Sequence, residues 1–368
     1  MNNKEYDLIV YIGRFQPFHV AHQETVKHAF TKTDNVLVLV GSSHGARTIR
    51  NPFTYEERLQ FITGAFNDEF FTSLTSKSLE VLPCRDFTYD DNAWIANTAH
   101  IVNQHAKEIG AKSIAIIGHD KDSTSFYLNY FQWEFVTMPA YPPEGDTIDA
   151  TKIRRLMFDK NYHFVKSVLP YNVYSDLFRT GGGVDGDKGW IYSEAGQLML
   201  AEWEDDKIQR QKWAGSPYSP VFVTADAVVV QSGCVLLIKR KGFPGYGQWA
   251  MPGGFVEQDE RIRQAVLREL NEETRIKLPV NVLDRAIDAY EMFDDPERST
   301  RGRTITHTYR ITLDATQKLP KVKGDGTETF EAKWFTLDEF NEMEGQMFED
   351  HFHVIKHMLA ITNRPVRV

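Results

Sequence analysis

The stretch YDLIVYIGRFQPFHVAH, residues 6 to 22, runs from an apolar strand through a glycine turn into the start of a helix. Gly13 permits a tight turn in which the backbone approaches a ligand closely. Pro17 lies near the expected helix start, where a missing N–H costs little. His19 and His22 are three residues apart, so they share one face of the first helical turn. Because free N–H groups and the helix dipole add to these side chains, the segment predicts an anion-binding site.

Apolar, strand-sized runs alternate with helical stretches after this turn. The expected strands are NVLVLVGS (35–42), SLEVLPC (78–84), SIAIIG (113–118) and EFVTMPA (134–140). Apolar strands separated by helices are typical of a parallel sheet that is covered on both faces. We therefore expect an α/β domain that binds its ligand at the carboxyl ends of the strands.

The segment GRFQPFHVAH (13–22) resembles the signature of the HxGH nucleotidyltransferase superfamily, and in particular the archaeal-type nicotinamide mononucleotide (NMN) adenylyltransferases. Ala21 stands where that signature has glycine. IRNPFTYEER (49–58) and DATKIRR (149–155) resemble two further motifs of the family. The resemblance covers about residues 6–175. It implies a Rossmann-like nucleotidyltransferase domain that converts NMN and ATP into NAD and pyrophosphate.

The same resemblance implies roles for individual residues. His19, His22 and Arg154 are the expected catalytic residues, which would hold the triphosphate together with Mg²⁺. The residues expected to bind ATP are Gly13, Arg14, Phe15, His19, His22, Gly118, His119, Thr151 and Arg154. Those expected to bind NMN are Arg47, Arg50, Asn92 and Trp94. The superfamily also includes enzymes for other phosphate esters, so adenylyl or cytidylyl transfer to a different acceptor stays open.

The middle of the chain changes character. TGGGVDGDKG (180–189) contains five glycines and predicts a linker, and GQLMLAEWEDDKIQRQKW (196–213) predicts a charged helix. We expect a nucleotidyltransferase domain over 1–178, a connector over 179–217 and a second domain over 218–368. Trp190, Trp203 and Trp213 fall in the connector, and we expect them to pack it onto a domain.

A second motif lies between Gln248 and Ile276. Five residues separate Gly254 from Glu260, and seven more separate Glu260 from Arg268. Directly after Arg268 come Glu269, Glu272 and Glu273, whose spacing of three and four residues places them on one helical face. Three carboxylates so close together repel one another unless a divalent cation neutralises them, and Mg²⁺ or Mn²⁺ suits such oxygen donors. The motif therefore predicts a metal site, with Glu260 and Arg268 bracing the helix.

This motif is similar to the Nudix box, which includes the glycines Gly253 and Gly254 of the turn. Arg275 replaces the glycine with which the box ends, so the end of the helix is in question. The resemblance covers about residues 220–345. It implies an α/β/α sandwich whose catalytic glutamates Glu269, Glu272 and Glu273 support metal-dependent hydrolysis of a nucleoside diphosphate derivative. The general base is left open among Glu273, Glu328 and Glu331.

The substrate of the second domain is inferred from the fusion. A domain that cleaves the pyrophosphate of NAD would undo the work of one that makes it, whereas ADP-ribose avoids this futile cycle. We therefore expect hydrolysis of ADP-ribose to AMP and ribose 5-phosphate. Hydrolysis of a different nucleoside diphosphate derivative, a ligand-sensing role for the second domain, and two domains that are merely tethered all stay open.

Composition limits the class of partner. Lys and Arg number 42 and Asp and Glu number 51, which gives a net charge of −9 and disfavours nucleic-acid binding. The two cysteines, Cys84 and Cys234, favour a reducing compartment, and the apolar runs are far shorter than the ~20 residues of a membrane span. We expect a cytoplasmic enzyme whose partners are ATP, NMN, NAD and ADP-ribose. A homo-oligomer stays open.

Overall fold

A computed structural model of the chain describes residues 4–66, 77–118, 130–138, 148–180 and 188–361. The chain divides into two compact units, Met1–Leu200 and Ala201–Val368. The division falls inside the expected connector, within a helix that spans Glu194–Gln211. No helix among the described residues is both long and apolar enough to cross a membrane.

The N-terminal unit contains a five-stranded sheet in which every pairing is parallel. Its strands are β1 (Leu8–Gly13), β2 (Asn35–Val40), β3 (Ser78–Pro83), β4 (Ile114–Gly118) and β5 (Glu134–Thr137), arranged in the order β3-β2-β1-β4-β5. Its helices are α1 (Val20–Lys32), α2 (Tyr55–Gly64), α3 (Asp91–Ile109), α4 (Ala150–Phe158), α5 (Tyr162–Val168) and α6 (Tyr171–Phe178). The predicted Rossmann-like parallel sheet is confirmed.

The first motif follows β1, the central strand, on either side of which the chain adds the other strands in turn. From β1 the chain first builds outward through β2 and β3, and then returns to the other side of β1 with β4 and β5. Gly13 and Gly118 therefore end neighbouring strands at the same edge of the sheet. Crevices at such switch points are where open α/β sheets bind ligands.

Helix α7 (Glu194–Gln211) crosses from the first unit into the second. Trp190, in a short 3₁₀ turn before it, is buried, and its ring lies 4.7 Å from that of Phe53 in the first unit. Trp203 is half-buried. Trp213 is 49% exposed, with its ring 5.9 Å from that of Phe222 in the second unit.

The C-terminal unit contains a seven-stranded mixed sheet. Its strands are β6 (Phe222–Gln231), β7 (Cys234–Arg240), β8 (Trp249–Ala250), β9 (Gly253–Phe255), β10 (Ile287–Phe293), β11 (Thr304–Thr312) and β12 (Thr329–Thr336). The main order is β10-β11-β6-β7-β12, with β8 beside β7 and β9 beside β6. Its further helices are α8 (Ile262–Thr274), α9 (Val280–Arg285), α10 (Leu337–Asn341) and α11 (His351–Ala360). The second unit is thus also an α/β domain, as predicted.

The two faces of β6 differ in chemistry. Ala225, Ala227 and Val229 belong to a fully apolar core that includes Ala265 and Leu270 of α8. On the opposite face, the buried side chains of β6 and its neighbour β11 are polar, apart from that of Val228. The polar ones are Thr224, Asp226, Thr304, Thr306, Thr308 and Arg310. The apolar face fixes α8 against the sheet, and with it the carboxylates of the Nudix-like motif.

Candidate active sites

The turn after β1 is shaped by an aromatic side chain. Phe15 has a φ of 51°, in the left-handed region, and is only 2% exposed. Its ring lies so close to Gly13 that a Cβ there would come within 2.8 Å of the ring. Glycine is therefore required at position 13, because any side chain would displace the ring that holds the turn.

The two histidines meet at the N-terminus of α1. Their rings stack with centroids 3.5 Å apart, and the backbone N–H of His19 donates to Nδ1 of His22 over 3.3 Å. The rings of Phe15 and Phe18 lie 5.0 Å and 5.6 Å from that of His22. Aromatic packing and one backbone hydrogen bond thus orient His22 at the N-terminus of α1.

Arg154 joins the first motif to the last. Its Nη1 donates to the carbonyl oxygen of Gln16 over 2.7 Å, although the two residues are 138 positions apart. Its Nη2 donates to Oγ1 of Thr151 over 3.1 Å, and the side chain of Asp149 accepts from the Thr151 backbone N–H at the start of α4. Thr151 and Arg154, both predicted to bind ATP, are thus in direct contact with each other, and Arg154 also contacts the segment that follows Gly13.

A second arginine, which sequence reasoning missed, holds the ends of two strands. Arg58 of α2 is fully buried and donates to the carbonyl oxygens of Arg14, Gly41 and Ser42 over 2.8, 2.7 and 3.0 Å. Burial lowers the pKa of Arg58 to about 10. The sequence offered one sign of this role, because Arg58 is a charged residue inside the motif segment 49–58. In the structure its side chain binds backbone oxygens of the turn.

The residues predicted to bind NMN are spread over several environments. Arg47 donates from both terminal nitrogens to the carboxylate of Glu57, over 2.6 and 2.8 Å, so its charge is already balanced. Arg50 lies half-buried in the same loop, and Asn92 is exposed in the first turn of α3. Trp94 packs beside the core with its ring 5.9 Å from Phe131. His119 lies outside the described residues. The NMN-binding set stays a prediction.

In the second unit, the turn Gly253–Gly254 faces two carboxylates of α8. The backbone N–H of Gly253 donates to Oε2 of Glu273 over 2.8 Å. A Cβ on Gly254 would lie 2.5 Å from Oε1 of Glu269, and one on Gly253 would overlap the carboxylate of Asp226. Both glycines are therefore required by the close approach of acidic side chains to the strand.

Arg268, predicted to support the carboxylate helix, contacts three glutamates. It donates to both oxygens of Glu260, over 3.0 and 2.6 Å, and its Nη1 reaches Glu269 at 2.8 Å and Glu272 at 3.0 Å. These bonds raise the pKa of Arg268 and lower that of Glu260. The guanidinium links the supporting glutamate to two of the predicted metal ligands.

The predicted ligands differ in burial. Glu273 is 5% exposed, and burial raises its pKa well above the usual range, with repulsion from Glu269 adding to the effect. Burial likewise raises the pKa of Glu269. The side chain of Glu272 is 56% exposed. Among the described residues no three acidic, histidine or cysteine side chains converge closely enough to hold an ion. Glu269 and Glu273 nevertheless fit a hard divalent cation, which would relieve the repulsion of two desolvated carboxylates.

Two buried residues near this turn were not singled out from the sequence. Asp226 on β6 accepts a hydrogen bond from Thr306, and burial raises its pKa. Nδ1 of His351 on α11 accepts from the backbone N–H of Met251 over 3.1 Å, and burial lowers its pKa well below the usual range. Asp226 did leave a signal, since it is the acidic residue within the apolar run VFVTADAVVVQ.

Helix α8 ends at Arg275 without a glycine. This residue has φ 47° and ψ 34°, and its backbone N–H donates to the carbonyl oxygen of Asn271 over 2.9 Å. It adopts the left-handed conformation that glycine usually supplies at this point. Of the remaining candidates for the general base, Glu328 acts electrostatically on Glu269, and Glu331 is exposed on β12.

Comparison with known proteins matches each unit and then the whole chain. Residues 10–155 match the Cytidylyltransferase-like family and residues 221–358 match the NUDIX domain family. A nicotinamide/nicotinic acid mononucleotide adenylyltransferase of Acinetobacter baylyi is 31% identical over 167 residues, which cover 45% of this chain and 82% of that protein. An ADP-ribose pyrophosphatase of Methanocaldococcus jannaschii is 30% identical over 144 residues, which cover 38% of this chain and 75% of that protein.

One solved structure is similar along nearly the full length. It is a bifunctional NMN adenylyltransferase/ADP-ribose pyrophosphatase of Francisella tularensis, in complex with AMP and a manganese ion. The match has a TM-score of 0.83 and 30% identity, and covers 96% of this chain and 98% of that one. Together with the motif geometry of both units, this match establishes that the chain belongs to the family of bifunctional NMN adenylyltransferase/ADP-ribose pyrophosphatases.

Proposed function

We propose that the N-terminal unit converts NMN and ATP into NAD and pyrophosphate, and that the C-terminal unit hydrolyses ADP-ribose to AMP and ribose 5-phosphate. One observation supports this proposal above the others. A single chain contains both motif sets and matches a bifunctional relative along 96% of its length.

In the first reaction, the NMN phosphate displaces pyrophosphate from the α-phosphorus of ATP in a single in-line step. The site needs no nucleophile of its own, so its work is to position two anions and to stabilise developing charge. His19, His22, Arg14 and Arg154 supply that charge, while Arg58 and Phe15 hold the turn on which they lie. A bound Mg²⁺ would add charge neutralisation on the phosphate oxygens.

In the second reaction, the carboxylates of α8 are oriented before substrate arrives. Gly253 fixes Glu273 through its N–H, and Arg268 fixes Glu269. These two carboxylates, with Glu272 beside them, would hold Mg²⁺ or Mn²⁺, which supplies Lewis-acid activation of water and of the diphosphate when bound. The protein's own part is to align these side chains at the turn. Burial there raises the pKa of Glu269 and Glu273, so the bound cation would be what holds them ionised.

ADP-ribose is the substrate that suits both activities in one polypeptide. Hydrolysis of NAD itself would remove the product of the first site. Hydrolysis of ADP-ribose, a breakdown product of NAD, leaves that product intact. The assignment of Arg47, Arg50, Asn92 and Trp94 to NMN, and of the general base to Glu273, Glu328 or Glu331, belongs to this proposal.

A paired substrate screen on the full chain tests the proposal. Pyrophosphate release with NMN should exceed that with nicotinate mononucleotide, FMN or phosphopantetheine. Hydrolysis of ADP-ribose should exceed that of NADH, diadenosine polyphosphates and nucleoside triphosphates, and EDTA should abolish it. Negligible cleavage of ADP-ribose, or faster release with another acceptor than with NMN, would overturn the corresponding half.

A further inference from the structure

The side chain of Gln16 joins the first two motif segments of the N-terminal unit. It is 2% exposed, and its amide forms two hydrogen bonds with the backbone of Phe53. Its Nε2 donates to the carbonyl oxygen of Phe53 over 2.9 Å, and its Oε1 accepts from the N–H of Phe53 over 3.0 Å. A carbonyl only accepts and an N–H only donates, so one orientation of the amide satisfies both partners. The side chain therefore binds Phe53 as a residue of a neighbouring strand would.

The main chain of Gln16 binds the third segment. Arg154, which is 9% exposed, donates from Nη1 to the carbonyl oxygen of Gln16 over 2.7 Å. The segments 13–22, 49–58 and 149–155 therefore meet at this one residue. Because buried polar groups that lose their partners are costly, these three hydrogen bonds fix the segments against one another.

The contact with Phe53 also fixes the start of α2. Thr54 follows directly and is the N-cap residue of this helix. Arg58, one turn later, donates from Nε to the carbonyl oxygen of Thr54 over 3.0 Å and from Nη1 to that of Arg14 over 2.8 Å. The hydrogen bonds thus form a closed circuit, in which Gln16 holds the start of α2 and α2 holds the residue two positions before Gln16.

We propose that Gln16 is a positioning residue of NAD synthesis, whose side-chain amide holds the turn of Arg14 and Phe15 in place against α2 and Arg154. The turn requires such support because Phe15 has a φ of 51°, which residues with a side chain seldom adopt. In-line transfer depends on precisely placed anion-binding groups, and a misplacement of about 1 Å can cost about a hundredfold in rate. This assignment rests on the proposed conversion of NMN and ATP into NAD.

Two substitutions in the full chain, Gln16→Glu and Gln16→Met, test the assignment. Glutamate keeps the size and the acceptor of the side chain, but its ionised form places a second oxygen against the carbonyl oxygen of Phe53. Methionine has a similar length and removes both hydrogen bonds. At about pH 8.5 we expect kcat/KM for NAD synthesis to fall about tenfold or more in both variants. Hydrolysis of ADP-ribose by the second unit should be unchanged.

Protonation should rescue Gln16→Glu alone. A protonated carboxyl group donates again to the facing carbonyl oxygen, so the working form exists below the pKa of the new side chain and is lost above it. Burial and that oxygen both favour the protonated form and raise this pKa towards neutrality. Charged and titratable groups that contact the turn are common to wild type and variants, so each activity is divided by that of wild type at the same pH. These groups include Arg14, Arg58, Arg154, His19 and His22.

The ratio of Gln16→Glu to wild type should rise about tenfold between about pH 8.5 and about pH 5.5, whereas that of Gln16→Met should stay constant. A loss of general stability would lower both ratios without this difference. A ratio for Gln16→Glu that does not change with pH would overturn the proposal. Wild-type activity of Gln16→Met would overturn it as well.

Gln23→Met is the matched control. Gln23 lies on α1, and its Nε2 donates to the carbonyl oxygen of Ala65 at the end of α2 over 2.6 Å. This variant therefore also breaks a bond from a glutamine side chain to the backbone, but outside the motif segments. It should retain the NAD synthesis of wild type. Equal losses in Gln23→Met and Gln16→Met would assign the effect to general packing and overturn the positioning role.

Hydrogen exchange in the wild-type chain, measured residue by residue, covers the case in which neither Gln16 variant folds. The N–H of Phe53 donates to the buried Gln16 amide and should exchange as slowly as the amides of the core strands. The N–H of Asn51 in the same loop donates to the partly exposed hydroxyl of Thr48 and should exchange faster. Rapid exchange at Phe53 would overturn the proposal. Failure of the wild type to form NAD from NMN and ATP would instead overturn the proposed function, and the exchange rate at Phe53 would still test the Gln16 contact.

Discussion

The two sites of this chain handle phosphates with opposite kinds of side chain. The N-terminal site gathers basic side chains near a helix N-terminus: the rings of His19 and His22 stack there, and Arg154 donates to the carbonyl oxygen of Gln16. The C-terminal site gathers acidic groups, with Glu273 and Glu269 desolvated against a glycine turn. In the proposed function, the first site would act on a polyphosphate mainly through basic side chains, whereas the second would act through a divalent cation held by its carboxylates.

The sites also differ in how the chain assembles them. The first brings together three segments, from residues 13–22, 49–58 and 149–155, through hydrogen bonds to backbone oxygens. The second places its carboxylates on a single helix, α8, held against one strand turn. A substitution in one site therefore leaves the contacts of the other intact, and separate loss of the two activities is the sharpest test of this comparison.

The largest effect is expected from Glu273→Gln. The amide keeps the size of the side chain but removes a buried charge that the divalent cation requires. We expect ADP-ribose hydrolysis to fall about 10³-fold, with NAD synthesis unchanged. Glu272→Gln should cost less, because that side chain is 56% exposed. Glu257→Gln, at an exposed position before α8, is the control. Loss of both activities with an intact fold would contradict independent sites.

The reverse loss is expected from His19→Ala or His22→Ala. Each removes an imidazole from the anion site at the N-terminus of α1, and we expect NAD synthesis to fall by about 10²-fold or more while hydrolysis continues. His28→Ala, on the same helix, controls for helix stability. Pyrophosphate release and AMP formation, measured on the same preparation, give the comparison. Retention of NAD synthesis in both variants would remove the histidines from the catalytic site.

Local patterns predicted both folds and the outline of both sites. Apolar strands between helices predicted the parallel sheet, and the spacing of Glu269, Glu272 and Glu273 predicted a carboxylate helix. These features depend on periodicity over a few residues, which a sequence displays directly. The spacing alone could not predict that the side chain of Glu272 is exposed, because its exposure depends on how α8 packs against β9.

What the sequence could not predict depends on contacts between distant segments. Arg58 binds the carbonyl oxygens that end the first two strands, and His351 binds the backbone before the glycine turn from 100 positions away. Each partner is a backbone group, which carries no residue-specific signal. The approach of Arg240 and Arg301 to the ring of Phe348 likewise depends on the fold, although the partner there is a side chain.

An intermediate effect on stability is expected from His351→Gln. Burial lowers the pKa of His351 well below its usual 6.5, so the folded state excludes a proton that the unfolded chain takes up. The stability that the neutral ring contributes is present above pH 6.5 and is lost as pH falls, by up to about 1.4 kcal/mol per unit of pH. Glutamine keeps an acceptor for the Met251 N–H but does not titrate.

The free energy of unfolding of wild type should therefore decline more steeply below pH 6.5 than that of His351→Gln. Urea unfolding at several pH values between neutrality and the acid range measures this difference. His357→Gln, on the same helix, serves as the control. Parallel pH profiles for wild type and His351→Gln would show that the ring is not the buried neutral group that holds the glycine turn.

The smallest effect is expected at the end of α8, where the second site departs from its family's box. Arg275 has a φ of 47°, a conformation that disfavours side chains, so Arg275→Gly should relieve strain. Glycine also loses more entropy on folding, and we expect a net gain of about 0.5–1 kcal/mol with hydrolysis unchanged. Asn271→Gly, one turn earlier on the exposed side of the same helix, should instead cost about 1 kcal/mol. If Arg275→Gly destabilised the protein as Asn271→Gly does, side-chain contacts of Arg275 would outweigh its backbone strain. The departure from glycine would then be a stabilising feature of this chain.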